Sequence, residues 1–366
     1  MEHLQEPAAP KRRDSTSQGM VAPEQSGAPV VQSRRSFIRG LSALVGSVSA
    51  MRWSSEAAAN TVPETNRIRL VRSHGICVAP QFVAEALLRA EGFTNVEYVD
   101  YPADDLAPTP CAMMAANRVD LSLDSVGSII TSIDQGKPVV ALAGLHMGCY
   151  ELFATDQVRS IHDLRGRVLP INVFGGVQHT FLSSVLAYVG LDPRTDVKWA
   201  VHPSTESMRL LQAGKVDAFL AFPPEPQDLR AQGVSRVILN TARDKPWSNY
   251  YCCTLVANRA FARDHPVACK RATRAILKAA DLCTKDPQGA AKIMVNGGFV
   301  SRFDTALETL KDINYHEWRT YDPESTLRFH CVRLYEVGMI KSTPAQIIER
   351  GTDWRILNAL RLELKA

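Results

Sequence analysis

The chain is predicted to fold as an α/β protein of two lobes joined by a hinge, with a cleft between them. Three observations carry this expectation. Strands and helices alternate from residue 67 onward; the alternation restarts after a connection near 157; and a strand near 251 returns the chain to the first lobe. The second lobe, 158–245, is thus inserted into a first lobe made of 67–157 and 246–366. Strands separated by helices imply a mainly parallel sheet covered on both faces.

Each element follows from a local pattern. Residues 68–71 form a short apolar strand, followed by a loop over 72–79. A helix is expected over 80–91, with Pro80 suited to its first turn, Val83, Ala86, Leu87 and Ala90 on one face, and Gly92 at its end. Next come a strand at 96–99, a short helix at 111–117 and a strand at 119–123. Ser125 caps a helix over 126–135, which Gly136 terminates before a strand at 139–143; another strand is expected at 150–154. In the second lobe a strand at 169–173 leads through Phe174-Gly175-Gly176 into a helix over 178–189. A strand at 197–201, a helix at 204–213 and a strand at 216–220 repeat that unit. Pro223-Pro224-Glu225-Pro226 starts a further helix, and 237–239 is a strand. After a returning strand at 251–256, long helical patterns dominate, 266–285 and 323–337 among them.

The first 59 residues are read as a leader. Residues 1–32, rich in Pro, Gln, Ser and Ala, cannot bury a core and are expected to be disordered. Ser33-Arg34-Arg35-Ser36-Phe37-Ile38-Arg39 and the uncharged stretch 40–50 form a twin-arginine export signal, which predicts a periplasmic protein. That stretch is too short to span a membrane, since a transmembrane helix needs roughly 20 apolar residues. Val48-Ser49-Ala50 and Ala57-Ala58-Ala59 offer two cleavage exits, so the mature chain begins near Met51 or Asn60.

Charge and cysteine usage narrow the function classes. With 42 Lys and Arg against 38 Asp and Glu, the net charge of +4 makes no general case for a nucleic-acid or membrane partner. The eight cysteines show no C-x-x-C pair and no His at metal-ligand spacing, so no metal site is expected, and most are expected to be buried free thiols.

At several points the sequence resembles a known family. Ile161-His162-Asp163-Leu164-Arg165-Gly166-Arg167-Val168 is similar to the entry to the second lobe of nitrate/sulfonate/taurine-type substrate-binding proteins of ABC importers. Gly190-Leu191-Asp192-Pro193 with Asp196-Val197, and Leu211-Gln212-Ala213-Gly214-Lys215-Val216-Asp217-Ala218, resemble that family's next two segments in order and spacing. Arg118-Val119-Asp120-Leu121 with Gly136-Lys137-Pro138-Val139 resembles its first-lobe pattern, and the similarity spans 67–340. Tyr251-Cys252-Cys253-Thr254-Leu255 resembles a shortened form of the cysteine-rich strand of the thiamine-pyrimidine synthases on this fold, without their full cluster. His146-Met147-Gly148-Cys149-Tyr150-Glu151 and Pro223-Pro224-Glu225-Pro226 depart from the small Gly- and Thr-rich loops of the sulfonate and taurine members, so the ligand stays open. The resemblance implies the type II periplasmic binding protein fold. It also implies a monomer that captures a small polar or anionic organic molecule, or a heterocyclic thiamine-precursor-like one, for an ABC permease and ATPase. No catalytic residue, cofactor or metal belongs to that reading. The rival is an enzyme on the same fold, desulfinase- or pyrimidine-synthase-like, using a Cys with His74 or His146. A ligand sensor that presents its closed form to a membrane receptor is a third reading.

The candidate site follows from where ligands sit in such sheets, beyond the carboxyl ends of strands where helix N-termini converge and favour anions. Four loops qualify: His74 through Gln81, Asp124-Ser125, Phe174 through His179, and 222–225. The ligand-binding candidates are His74, Gln81, Asp124, Ser125 and His146 from the first lobe. Phe174, Gly175, Gly176, Gln178, His179, Pro223 and Glu225 come from the second, and Tyr250 from the return crossing. Gly175-Gly176 lets backbone approach a ligand. Glu225 in the cleft would favour a ligand with an amine or amidine-like donor.

Overall fold

The computed structural model describes residues 62–73, 75–101, 109–233 and 236–365. His74 and the whole leader reading, including the twin-arginine signal, lie outside the described residues.

The first sheet has five strands in the order β2-β1-β3-β10-β4. They are β1 (Arg67–Val71), β2 (Asn95–Val99), β3 (Leu121–Ser125), β4 (Val139–Met147) and, from far along the chain, β10 (Tyr251–Asn258). β1 runs parallel to β2 and β3, while β10 lies antiparallel between β3 and β4. A second row holds β6 (Val168–Ile171) parallel to β7 (Lys198–Val201), and β5 (Glu151–Ala154) antiparallel to both β8 (Ala218–Ala221) and β9 (Val237–Asn240). The Asp217 N–H donates to the Val168 carbonyl at 2.9 Å and joins β6 to the strand that becomes β8. Reading across gives β7-β6-β8-β5-β9, the same order as the first sheet: second strand, first, third, crossing strand, fourth. The expected mainly parallel sheet is therefore mixed in both rows, because each crossing strand enters from the other half of the chain. β5 pairs only with second-row strands, so the change of sheet falls at 148–150, ahead of residue 157.

The same pair of local devices builds both rows. In the first, the Asp120 carboxylate accepts the Arg69 N–H at 2.8 Å while the Asp120 N–H donates to the Arg69 carbonyl at 2.9 Å. In the second, Asp217 does the same to Val168, at 2.8 and 2.9 Å. The Val119-Asp120 and Val216-Asp217 pairs thus lock the third strand of each row to its first.

Helices cover the sheets. In the first half these are α1 (Ala79–Val83), α2 (Glu85–Ala90), α3 (Pro110–Ala115) and α4 (Val126–Asp134). The single helix expected over 80–91 is two, meeting at Ala84. The second half carries α5 (Val177–Tyr188), α6 (Ser204–Gln212) and α7 (Glu225–Ala231). After β10 come α8 (Arg259–Asp264), α9 (Pro266–Lys285), α10 (Pro287–Asn296), α11 (Phe303–Asp312), α12 (Pro323–Glu336), α13 (Pro344–Gly351) and α14 (Arg355–Glu363). α9 matches its expected bounds. Its buried stripe of Ala268, Cys269, Ala272, Ile276, Ala279, Ala280 and Cys283 has the spacing of one helix face. Strand alternation divides the core: Val140 and Leu142 of β4 join one apolar cluster, Val139 and Ala141 the other with Ile130 and Leu334. Among the described residues no helix is long and apolar enough to cross a membrane.

Candidate functional site

Two helix N-termini meet at one cavity. α4 starts where β3 ends, with Ser125 as its N-cap accepting the Ser128 N–H at 3.4 Å. α5 opens at Gly176, which offers no side-chain cap. Ser125, Val126 and Gly127 from α4, and Val177, Thr180 and Phe181 from α5, line a cavity of about 10 Å³ with Tyr150, Tyr251, Cys252 and His330. That volume holds about one water. The first-turn N–H groups of a helix have no intrahelical acceptor, so both ends present positive dipole to this space. No Lys or Arg lines it. His330 is buried, its Nδ1 lies 3.0 Å from the Ser184 hydroxyl, and burial with the nearby Arg333 lowers it to about 4, so it is neutral at pH 7.

The two halves touch closely here. A Cβ on Gly127 would lie 2.4 Å from the Thr180 Oγ1, so only glycine lets α4 and α5 approach this far. The Ile76 N–H also donates to the Pro223 carbonyl at 3.3 Å. Beside Pro223 an open cleft of about 510 Å³ runs past Gly148, Cys149, Glu151 and Arg230 to Glu308 and Asp312.

The predicted residues fall into distinct surroundings. Ser125 lines the cavity. Asp124, just beneath it, accepts from the Cys111 N–H at 3.1 Å, the Ser125 N–H at 2.7 Å and the Ser128 hydroxyl at 2.9 Å, and burial raises it to about 6. Gln81 and Gln178 occupy matching places in the two halves. The Gln81 amide donates to the Val71 carbonyl at 2.5 Å and accepts the Leu123 N–H at 2.9 Å. The Gln178 amide accepts the Asn172 N–H at 2.9 Å and donates to the Leu220 carbonyl at 3.2 Å. Both side chains tie a first strand to a third strand. His179 turns to the exposed Phe174 and to Trp199, accepts the Gly175 N–H at 3.0 Å, and is lowered by burial to about 4. Glu225 is buried, accepts the Phe222 N–H at 3.0 Å, and is raised by burial to about 7. Tyr250 stacks on Phe329 at 4.1 Å, and the next residue, Tyr251, faces the cavity. Tyr150, Thr180, Phe181 and His330 carried no sequence signal, since each comes from a segment whose local pattern is only core or helix.

His146 belongs to a second constellation. The register of β10 against β4 sets Cys253 opposite His146. Gly148, at φ 26°, turns the chain so tightly against Thr241 that a Cβ would lie 2.3 Å from its carbonyl oxygen, and Cys149 follows. The Cys149 and Cys252 sulfurs are 2.9 Å apart, and those of Cys252 and Cys253 are 3.9 Å apart. Cys77, in a turn of 3₁₀ helix at Ile76–Val78, completes the group. The His146 Nδ1 lies 3.2 Å from the Met147 carbonyl, and its Nε2 has no partner. Interaction with the Cys149 and Cys253 thiols holds the Cys77 thiol well below its ordinary value, the nearby His146 ring acting in the same direction, while burial pushes Cys149 up. All eight cysteines are buried and free. The spacing rule that argued against a metal site treats these five residues as unrelated, yet the fold gathers them.

The comparisons with known proteins agree with this architecture. No curated protein matches the chain in sequence. The nitrate-binding protein NrtA from Synechocystis PCC 6803 superposes with a TM-score of 0.68 at 14% identity, covering 83% of this chain and 90% of that one. The alkanesulfonate-binding protein SsuA from Xanthomonas axonopodis pv. citri, solved with MOPS, gives 0.60 at 15%, covering 76% and 96%. A DszB mutant in complex with biphenyl-2-sulfinic acid gives 0.58 at 14%, covering 81% and 99%. These likenesses establish the periplasmic-binding-protein fold expected from the sequence. The model of the family described as NMT1/THI5 like matches residues 92–290, more than half of the chain, and on that match the protein belongs to the NMT1/THI5-like family.

Proposed function

We propose that this chain is the periplasmic substrate-binding component of an ABC importer, capturing a small polar or anionic organic molecule between its lobes. The observation that carries this reading is the pair of helix N-termini, from α4 and α5, that line one cavity from opposite halves of the chain. Such ends supply N–H donors and favour anions by about 0.3 to 1 kcal/mol each, more when partly buried. Ser125 adds a hydroxyl, and Tyr150, Phe181 and Tyr251 wall the space with apolar surface. A cavity of about 10 Å³ is too small for an organic ligand, so the cleft opens to admit one and closes over it by hinge motion. The first lobe then comprises 67–147 with 251–366, and the second 151–240. Export by the twin-arginine signal at Arg34-Arg35, a monomeric state and delivery to a permease and ATPase complete the proposal. NrtA and SsuA, named for nitrate and alkanesulfonate binding, support this class of ligand.

The test is calorimetric titration of the mature protein with nitrate, alkanesulfonates and thiamine-precursor heterocycles, alongside small-angle scattering. A ligand that binds near micromolar, about 8 kcal/mol, and lowers the radius of gyration supports the clamshell. Tight binding with no compaction rules it out. A second reading, a Cys- and His-dependent enzyme, is favoured by the lowered Cys77 thiol beside His146 and by the DszB likeness. A covalent adduct on Cys77 with an aryl sulfinate would establish it in place of pure binding.

A further inference from the structure

We infer that the buried cysteine and histidine cluster at the junction of β4 and β10 is a binding site for one thiophilic closed-shell cation, with Zn²⁺ as the ion to test. The donors form two triads that share one ring: Cys77, His146 and Cys149 on one side, His146, Cys252 and Cys253 on the other. Within each triad the ligand atoms lie within 4.8 Å of one another. Zn–S bonds of about 2.3 Å place the corners of a tetrahedron about 3.8 Å apart, and the Cys252 and Cys253 sulfurs stand at 3.9 Å. The Cys149 and Cys252 sulfurs, 2.9 Å apart, stand closer than that edge, so one ion takes only one of the two as a ligand, which leaves four donors from the five.

An independent observation points to a missing partner. His146 is fully buried, and its Nε2 is one of the few buried side-chain atoms with nothing to bond. Its other nitrogen faces the Met147 carbonyl at 3.2 Å, which fixes the proton on Nδ1 and leaves the Nε2 lone pair free. A backbone carbonyl holding the far side of an imidazole is how metal-ligating histidines are usually oriented. Four sulfurs and one imidazole select soft or borderline cations over Mg²⁺ or Ca²⁺. On binding, each coordinating thiol gives its proton to solvent as its S–metal bond forms. Cys149 lines the open cleft, and this supplies an entry path. The inference does not depend on which solute the cleft carries.

The full chain, purified under reductant and stripped with a chelator, is titrated with Zn²⁺ against a chromophoric competitor, and separately with Co²⁺. We expect one ion per chain, proton release, a thiolate-to-cobalt charge-transfer band in the near ultraviolet, and a higher Tm with metal. Cys253→Ser and His146→Asn should each weaken binding by about 10- to 100-fold or more, while Cys331→Ser, outside the cluster, leaves it unchanged. If either cluster variant fails to fold, the cobalt band and the proton release of the wild-type chain decide. Absence of stoichiometric uptake, or a cobalt spectrum without a thiolate band, overturns the inference. So does a Cys149–Cys252 disulfide that forms in the stripped protein and excludes metal. Because no organic ligand enters this assay, its failure leaves the solute-binding reading standing, and the reverse holds too.

Discussion

Replacing Glu225 with Gln tests the electrostatics of the junction most directly. The carboxyl is buried at the first turn of α7 and accepts one backbone N–H, from Phe222 at 3.0 Å. Burial raises it from the ordinary 4.5 to about 7. A raised carboxyl binds its proton more tightly in the folded state, so its stabilising contribution is fully present below 4.5 and is lost as pH climbs through 7. At 1.36 kcal/mol per pH unit, a group carried from 4.5 to about 7 costs the folded state about 3 kcal/mol once it is ionised. Gln keeps the carbonyl oxygen that accepts from Phe222 but cannot ionise. Glu225→Gln should therefore match wild type below about pH 4.5 and exceed it by about 3 kcal/mol at pH 8, with the rise between about 4.5 and 7. Asp124, raised to about 6, acts in the same direction, and His179 and His330, lowered to about 4, act in the opposite one. All three are present in both proteins, so they cancel in the difference. Urea unfolding of each protein under reductant across this range supplies the numbers. A difference that is flat with pH would refute the reasoning, since it would mean Glu225 ionises in the fold as easily as in the unfolded chain.

Other expectations are simpler to state. Gln81→Leu and Gln178→Leu each strand buried backbone groups at a strand junction, and each should cost about 1 to 3 kcal/mol in urea unfolding; losses under about 0.5 kcal/mol would contradict the bridging role. Gly127→Ala drives a methyl to 2.4 Å from the Thr180 hydroxyl oxygen, so it should hold the lobes apart. It should weaken ligand binding by more than tenfold and abolish the compaction seen by scattering, and unchanged affinity would separate the cavity from closure. Replacing Arg34 and Arg35 with Lys should leave full-length protein in the cytoplasm, and mature protein still reaching the periplasm would remove the twin-arginine assignment.

The sequence alone determined what depends on near neighbours. Helix starts at Ser125 and Pro266, the stripe on α9 and the two βα runs are legible because capping, proline geometry and periodicity act over a few residues. Order and spacing of the turn motifs were enough to indicate the family. Tertiary structure decided everything that needs two distant segments at once. It gave Asp120 and Asp217 one shared task, locking third strand to first. It gave Gln81 and Gln178 the task of bridging strands within each half, a choice made by which carbonyls the folded backbone brings within 3.2 Å. It split the crossing strands between two sheets, since strand pairing depends on the return of the chain rather than on local pattern. Above all, it gathered Cys77, His146, Cys149, Cys252 and Cys253, which spacing rules read as unrelated. Ligand sets are defined by distance in space, and only the register of β10 on β4, with the turn at Gly148, supplies that distance.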